Sequence, residues 1–209
     1  MNANLQNRIV YRLRRRGRGK VFTPKDFLDV GGRDAVDKAL SRLASAGTVQ
    51  RLGRGLYVYP KRNKRLGIVI PPDVDDIADA VARQTGSRVV PSGATAANAL
   101  GLSTQVPAKP VYLTDGRSRR VRGITFVITL KHASPKEMPI GRPTSAAVLQ
   151  ALRHLGKDSV DAAVLGKIRR ALTPRHRSQL LHDARYTTDW MADAVREIAS
   201  SEVEAIQYG

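Results

Sequence analysis

The sequence predicts an α+β chain: a winged helix-turn-helix, then a small mixed α/β domain with a helical C-terminal tail. Three observations carry that prediction. The first 60 residues read as helix, short strand, short helix, helix and hairpin, in that order. Basic charge is concentrated in the same stretch. Residues 1–65 hold 17 Lys and Arg against 4 Asp and Glu, whereas residues 66–209 hold 19 against 14. From Thr144 onward the apolar residues fall at helical spacing.

Leu5, Ile9, Val10 and Leu13 mark one stripe of an amphipathic helix over residues 4–16, with Arg8, Arg12 and Arg15 off it. Gly17 and Gly19 end it, and "KVF" adds a short strand. "TPKD" is a helix start, with Thr23 as N-cap, Pro24 at the first helical position and Asp26 able to reach back. The short helix it opens is expected to bury Phe27 and Leu28 before Gly31 and Gly32 stop it. A third helix fits "RDAVDKALSRLASAG". Val36, Ala39, Leu40 and Leu43 share its inner face, Asp34, Lys38, Ser41 and Ser45 its outer one, and Asp37 and Arg42 flank them. "TVQRL" and "LYVYP" suit two strands joined by the turn "GRG". The run "KRNKR" then reads as a linker, which places a boundary near residues 62–72 and domains at 1–65 and 66–209.

Beyond Pro71 and Pro72, "DVDDIADAVARQTG" reads as a helix whose acids complement the dipole at its start. "SRVVPSG" suits a strand and turn, "ATAANALGLS" a small-residue helix, and "KPVYLTDG" and "GITFVITLKH" two further strands. Four helices complete the chain. Their stripes are Val148, Leu149, Leu152 and Leu155; then Val160, Val164, Leu165 and Ile168; a third follows the Thr173–Pro174 cap, and Trp190, Met191, Val195 and Ile198 mark the fourth.

Thirty-six Lys and Arg against 18 Asp and Glu give the chain a formal charge of +18, a surplus that favours polyanions. The absence of cysteine excludes disulfides, thiolate metal sites and cysteine nucleophiles. No stretch approaches the ~18 consecutive apolar residues of a membrane span, and the N-terminal order of charge and hydropathy is not that of a signal peptide. A cytoplasmic location is expected.

Within a winged helix the third helix enters the major groove and the hairpin flanks it. Lys38, Ser41 and Arg42 have the donors to reach base edges or phosphates, and Arg54 at the wing tip suits a narrow minor groove. Lys25, Arg51 and the "RRRGRGK" segment are expected to contact phosphates whatever the sequence. The competing reading is a docking module whose basic face meets an acidic protein or RNA. Elsewhere the chemistry is sparse. "DVDD" serves as a dipole complement and cap, "PSGATAAN" lacks the lysine of a phosphate loop, and "LTDG" suffices for a turn. His132, His154, His176 and His182 lack metal-ligand spacing. Neither catalysis nor a cofactor nor a metal is expected.

The stretches "VFTPKDFLDVGGRDAVDKALSRLASAGTVQRLGRGLYVYP" and "PSGATAANALGLSTQVPAKPVYLTDG" resemble the AbiE-type antitoxins of type IV toxin–antitoxin systems, once named for abortive phage infection. The likeness runs from about Leu5 to Lys131, and "GLSTQVP…VYLTDG" is its most distinctive part. It implies a DNA-binding winged helix joined to an antitoxin domain. Such proteins bind repeats in their own promoter, repress the operon and counter a co-encoded nucleotidyltransferase toxin. The resemblance assigns DNA contact to Arg33 through Arg42 and to Arg51 through Arg54. It implies reading of inverted repeats by two copies, monomers or weak dimers that pair on the DNA.

Overall fold

The computed structural model describes residues 2–103, 109–135, 137–139 and 141–200. It is mixed α and β, with eight α-helices and nine strands among the described residues. The chain divides into two compact units, and the division is not a single cut. Unit 1 comprises Met1–Val89 together with Ser118–Thr129, and unit 2 comprises Val90–Arg117 and Leu130–Gly209. The expected boundary at residues 62–72 therefore falls inside unit 1.

Unit 1 begins with α1 (Asn2–Arg16), whose Ile9 and Leu13 are fully buried. The short strand β1 (Val21–Phe22) follows, then a single 3₁₀ turn at Pro24–Phe27 in place of the expected helix. Its start is as read: Thr23 is extended, Pro24 opens the turn, and the Asp26 carboxylate accepts the Thr23 N–H at 2.8 Å. The turn buries Pro24 and Phe27 but leaves Leu28 exposed, because residues three apart eclipse in a 3₁₀ turn and Leu28 lies one past that face. Helix α2 (Arg33–Ser45) buries Val36, Ala39, Leu40 and Leu43, as its periodicity requires.

Strands β2 (Gln50–Gly53) and β3 (Leu56–Val58) form the hairpin, and β3 lies between β1 and β2 in a three-stranded antiparallel sheet. Phe22 links sheet to helices: its ring meets Phe27 edge-on at 5.5 Å and stacks on Tyr57 at 5.9 Å. The "KRNKR" run is not a linker. Residues Lys61–Asn63 form β4, antiparallel to β5 (Ile68–Ile70), with Arg62 opposite Val69. Asn63 Oδ1 accepts the N–H groups of Arg65 and Leu66, which fixes the turn between them. Helix α3 (Val74–Thr85) belongs to the same unit, capped by Asp73 and ended by left-handed Gly86.

Unit 2 carries β6 (Val89–Pro91), α4 (Gly93–Ala99), β7 (Val111–Thr114) and the end of β9 (Val127–His132), with β7 between β6 and β9. The preceding strand β8 (Arg119–Arg122) and the start of β9 lie in unit 1. Four helices follow: α5 (Pro143–Leu155), α6 (Ala162–Ala171), α7 (Pro174–Asp183) and α8 (Asp189–Ala199). Their apolar stripes meet in one core of Val148, Leu149, Leu152, Leu165, Ile168, Leu180, Met191, Val195 and Ile198. Part of the distinctive "GLSTQVP" segment, residues 104–107, lies outside the described residues.

Candidate nucleic-acid interface

Because the core consumes one stripe of α2, the opposite stripe must face solvent. Arg33, Asp34, Lys38, Ser41, Arg42 and Ser45 are all exposed there. Arg33 is partly committed, its Nε donating to Asp37 at 2.8 Å one turn later. Lys38, Ser41 and Arg42 have no side-chain partner among the described residues. Lys25 is exposed on the 3₁₀ turn that precedes α2, and Arg51 and Arg54 are exposed on β2 and at the hairpin turn. The outward set on α2 and the set on the hairpin thus belong to one unit, as two consecutive elements.

The hairpin is held by parts of the chain that sequence reading placed in the other domain. Gln84 Nε2, near the end of α3, donates to the Arg54 carbonyl at 3.2 Å. The register between β2 and β3 slips between Arg51 and Gly53, so Leu52 is an extra residue in a bulge. Its carbonyl instead accepts the Ile124 N–H at 3.0 Å. Gly53 lets the second segment approach: a Cβ there would stand 3.2 Å from the Arg122 carbonyl oxygen. Through this contact the exposed side chains of Arg119, Arg120 and Arg122 join the unit that bears the wing. Sequence reading missed all three. The signal was present in "GRSRRVRG", four arginines in eight residues with no acid among them.

The "RRRGRGK" segment behaves differently from expectation. Arg16 Nη1 lies 3.4 Å from Asp26. Arg18 donates to the Pro60 carbonyl at 2.9 Å while its guanidinium sits 4.6 Å from the centre of the Tyr59 ring. Lys20 pairs with Asp76 of α3 at 2.9 Å. These three cations bind their own unit together. Arg14 and Arg15 stay exposed without a carboxylate partner among the described residues.

Asp26 is the centre of that network. Its side chain is 5% exposed, and it receives Arg83 Nε at 3.0 Å besides Arg16 and the Thr23 N–H. Further out, Arg12 grips Asp29 with two bonds of 2.7 Å. That hydrogen bonding lowers the Asp29 carboxyl below its ordinary range.

In unit 2, Asp183 and His132 serve structure. Asp183 accepts from the Arg142 N–H at 3.1 Å and from Gln179 at 2.9 Å. His132 Nδ1 lies 2.9 Å from the Gly116 carbonyl. No group of three or more His, Asp or Glu able to hold a metal occurs among the described residues. No helix among them is long and apolar enough to cross a membrane.

A family model described as a family of unknown function (DUF6088) matches residues 8–180. The chain belongs to this family. The DUF6088 match takes in the whole of α2, the hairpin, α3 and the β8 segment, so the elements that build and brace the basic surface lie within it. No curated protein matches the chain.

Proposed function

We propose that this DUF6088 protein is a DNA-binding transcriptional autorepressor that also acts as the antitoxin of a type IV toxin–antitoxin system. It works in the cytoplasm by binding and not by catalysis. The observation that carries the DNA-binding part is the pairing of α2 and the hairpin. Lys38, Ser41 and Arg42 stand outward, without a side-chain partner among the described residues, on the helix that follows the 3₁₀ turn, and Arg54 stands at the turn of the hairpin beside it in sequence. Unit 1 also holds 22 Lys and Arg against 8 Asp and Glu, a net +14. Topology and charge are independent properties, and both suit a duplex. In this reading α2 lies in the major groove, the wing lies over the adjacent minor groove, and two copies meet on an inverted repeat.

The antitoxin part rests on the resemblance to AbiE-type antitoxins, and its partner is a co-encoded nucleotidyltransferase. The direct test is a footprint of the purified protein on the DNA upstream of its own gene, with Lys38→Ala and Arg54→Ala in parallel. Each variant is expected to lose affinity by about 1–3 kcal/mol if it reads a base edge. Unchanged affinity and unchanged salt dependence in both would refute the surface. Co-expression with the product of the neighbouring gene tests the antitoxin part, which fails if growth arrest by that product is not relieved.

The alternative is a basic docking module for an acidic protein or RNA. It predicts equal binding to scrambled and native duplexes at fixed salt.

A further inference from the structure

An arginine-lined groove opens between α6 and α7 in unit 2, remote in sequence from the helix and wing discussed above. Its volume is about 730 Å³, within the range of small-molecule sites. Arg169, Arg170 and Arg177 line it together with the Ser178 hydroxyl, and Leu172 and Leu181 form an apolar wall. No carboxylate lines it among the described residues. None of the three guanidinium groups has an ion-pair or hydrogen-bond partner among those residues, although Arg169 and Arg177 are half-buried. The Arg170 guanidinium passes close to Gly166, where a Cβ would stand 3.3 Å from its Nη1 atom.

No guanidinium nitrogen here is buried without a partner, so the three heads stay open to solvent and to a ligand. The first turn of α7 carries Arg175, His176 and Arg177 and no acid, which leaves the positive end of the helix dipole without a carboxylate of its own. An anion seated in the groove would meet three guanidinium groups and no opposing carboxylate among the described residues, beside Pro174 at the start of α7. Arginine forks suit phosphate oxygens, and two or three of them suit a polyphosphate better than a single phosphate. The wall of Leu172 and Leu181 suits a planar apolar body, and Leu181 is 44% exposed, open to such a contact.

We propose that this groove binds a small polyphosphate ligand of the nucleotide class. The proposal is independent of the DNA-binding reading, because it uses none of the residues assigned there.

The test is calorimetric titration of the full chain with ATP and with pyrophosphate, at ionic strength matched by sulfate. Both ligands are expected to bind, ATP more tightly through the apolar wall. Arg177→Gln and Arg169→Gln are each expected to weaken binding about 10- to 100-fold, the loss of one charge-assisted hydrogen bond. Leu181→Glu adds a carboxylate at an exposed position, where folding is spared, and is expected to abolish binding of both. Thermal melts establish that each variant is folded. No binding above the sulfate background, or equal affinities in all variants, would overturn the proposal. So would variants that lose affinity for a DNA duplex while keeping it for ATP, since the groove would then be part of a polynucleotide surface.

Discussion

At the scale of single residues, Asp26 does several jobs with one carboxylate. It closes the capping box with Thr23, receives Arg83 from α3, and lies near Arg16 of α1. Asp26→Ala is expected to cost about 2–4 kcal/mol, combining a lost cap with lost charge-assisted hydrogen bonds. Urea denaturation would show this as a lower midpoint, and a shift within the error of the measurement would contradict the network. Asp183 supplies a pH-dependent counterpart. Burial pushes its carboxyl up, but hydrogen bonds from Ser145, the Arg142 N–H and Gln179 outweigh that and leave it below its ordinary value of 3.8. A carboxyl lowered on folding stabilises above its unfolded value, and that stability is lost as pH falls through the lower folded value. Asp183→Asn is therefore expected to be less stable at neutral pH and to lose less on acidification below about pH 4 than the parent. Parallel melts across that range check the difference in slope. Thr23 and Asp26 were legible in sequence because a capping box has fixed spacing. The partners Arg83 and Asp76 were not, since each pairs across more than fifty residues.

Among elements, legibility followed periodicity. The stripe of α2 named every buried residue of that helix, because a helix with one wet face has little choice. The β4–β5 hairpin was missed because Lys61, Arg62 and Asn63 show no apolar alternation, and strand pairing supplies a partner that a single segment does not display. Its markers were Asn63 and Gly67 at turn spacing, the glycine at φ +66°. The 3₁₀ turn was read as a longer helix since a good start signal says nothing about length.

Close helix contact in unit 2 gives a prediction at this scale. Gly93 opens α4 where a Cβ would lie 2.4 Å from the His154 Cβ and 3.0 Å from the Gln150 carbonyl oxygen, both on α5. Ala96, Ala97 and Ala151 continue the same small-residue seam. Gly93→Val is expected to force the two helices apart at a cost of about 1–3 kcal/mol. A melting temperature equal to the parent's would show that the seam has slack.

For the whole molecule, charge is the property that both sequence and fold place, and the fold refines it. Sequence reading assigned +13 to the first 65 residues; the compact unit that contains them holds +14 of the total +18 after α3 adds acids and β8 adds arginines. If the β8 arginines sit on the duplex, Arg120→Ala should weaken binding to native and scrambled sites alike. It should also flatten the plot of log affinity against log salt by about one unit. A slope equal to the parent's would place that arginine off the DNA.

The Leu52–Ile124 bond has a consequence for synthesis of the chain. Unit 1 is not finished when its first 89 residues have been made, since the bend that bonds to the open side of β2 arrives only with residues 118–129. At ~5–20 residues per second, the ribosome needs about 2–8 s to travel from one to the other. For that interval the nascent hairpin has its β2 edge bare. A fragment ended at Val89 would keep that edge bare permanently, a reason to begin any dissection of this protein beyond Thr129.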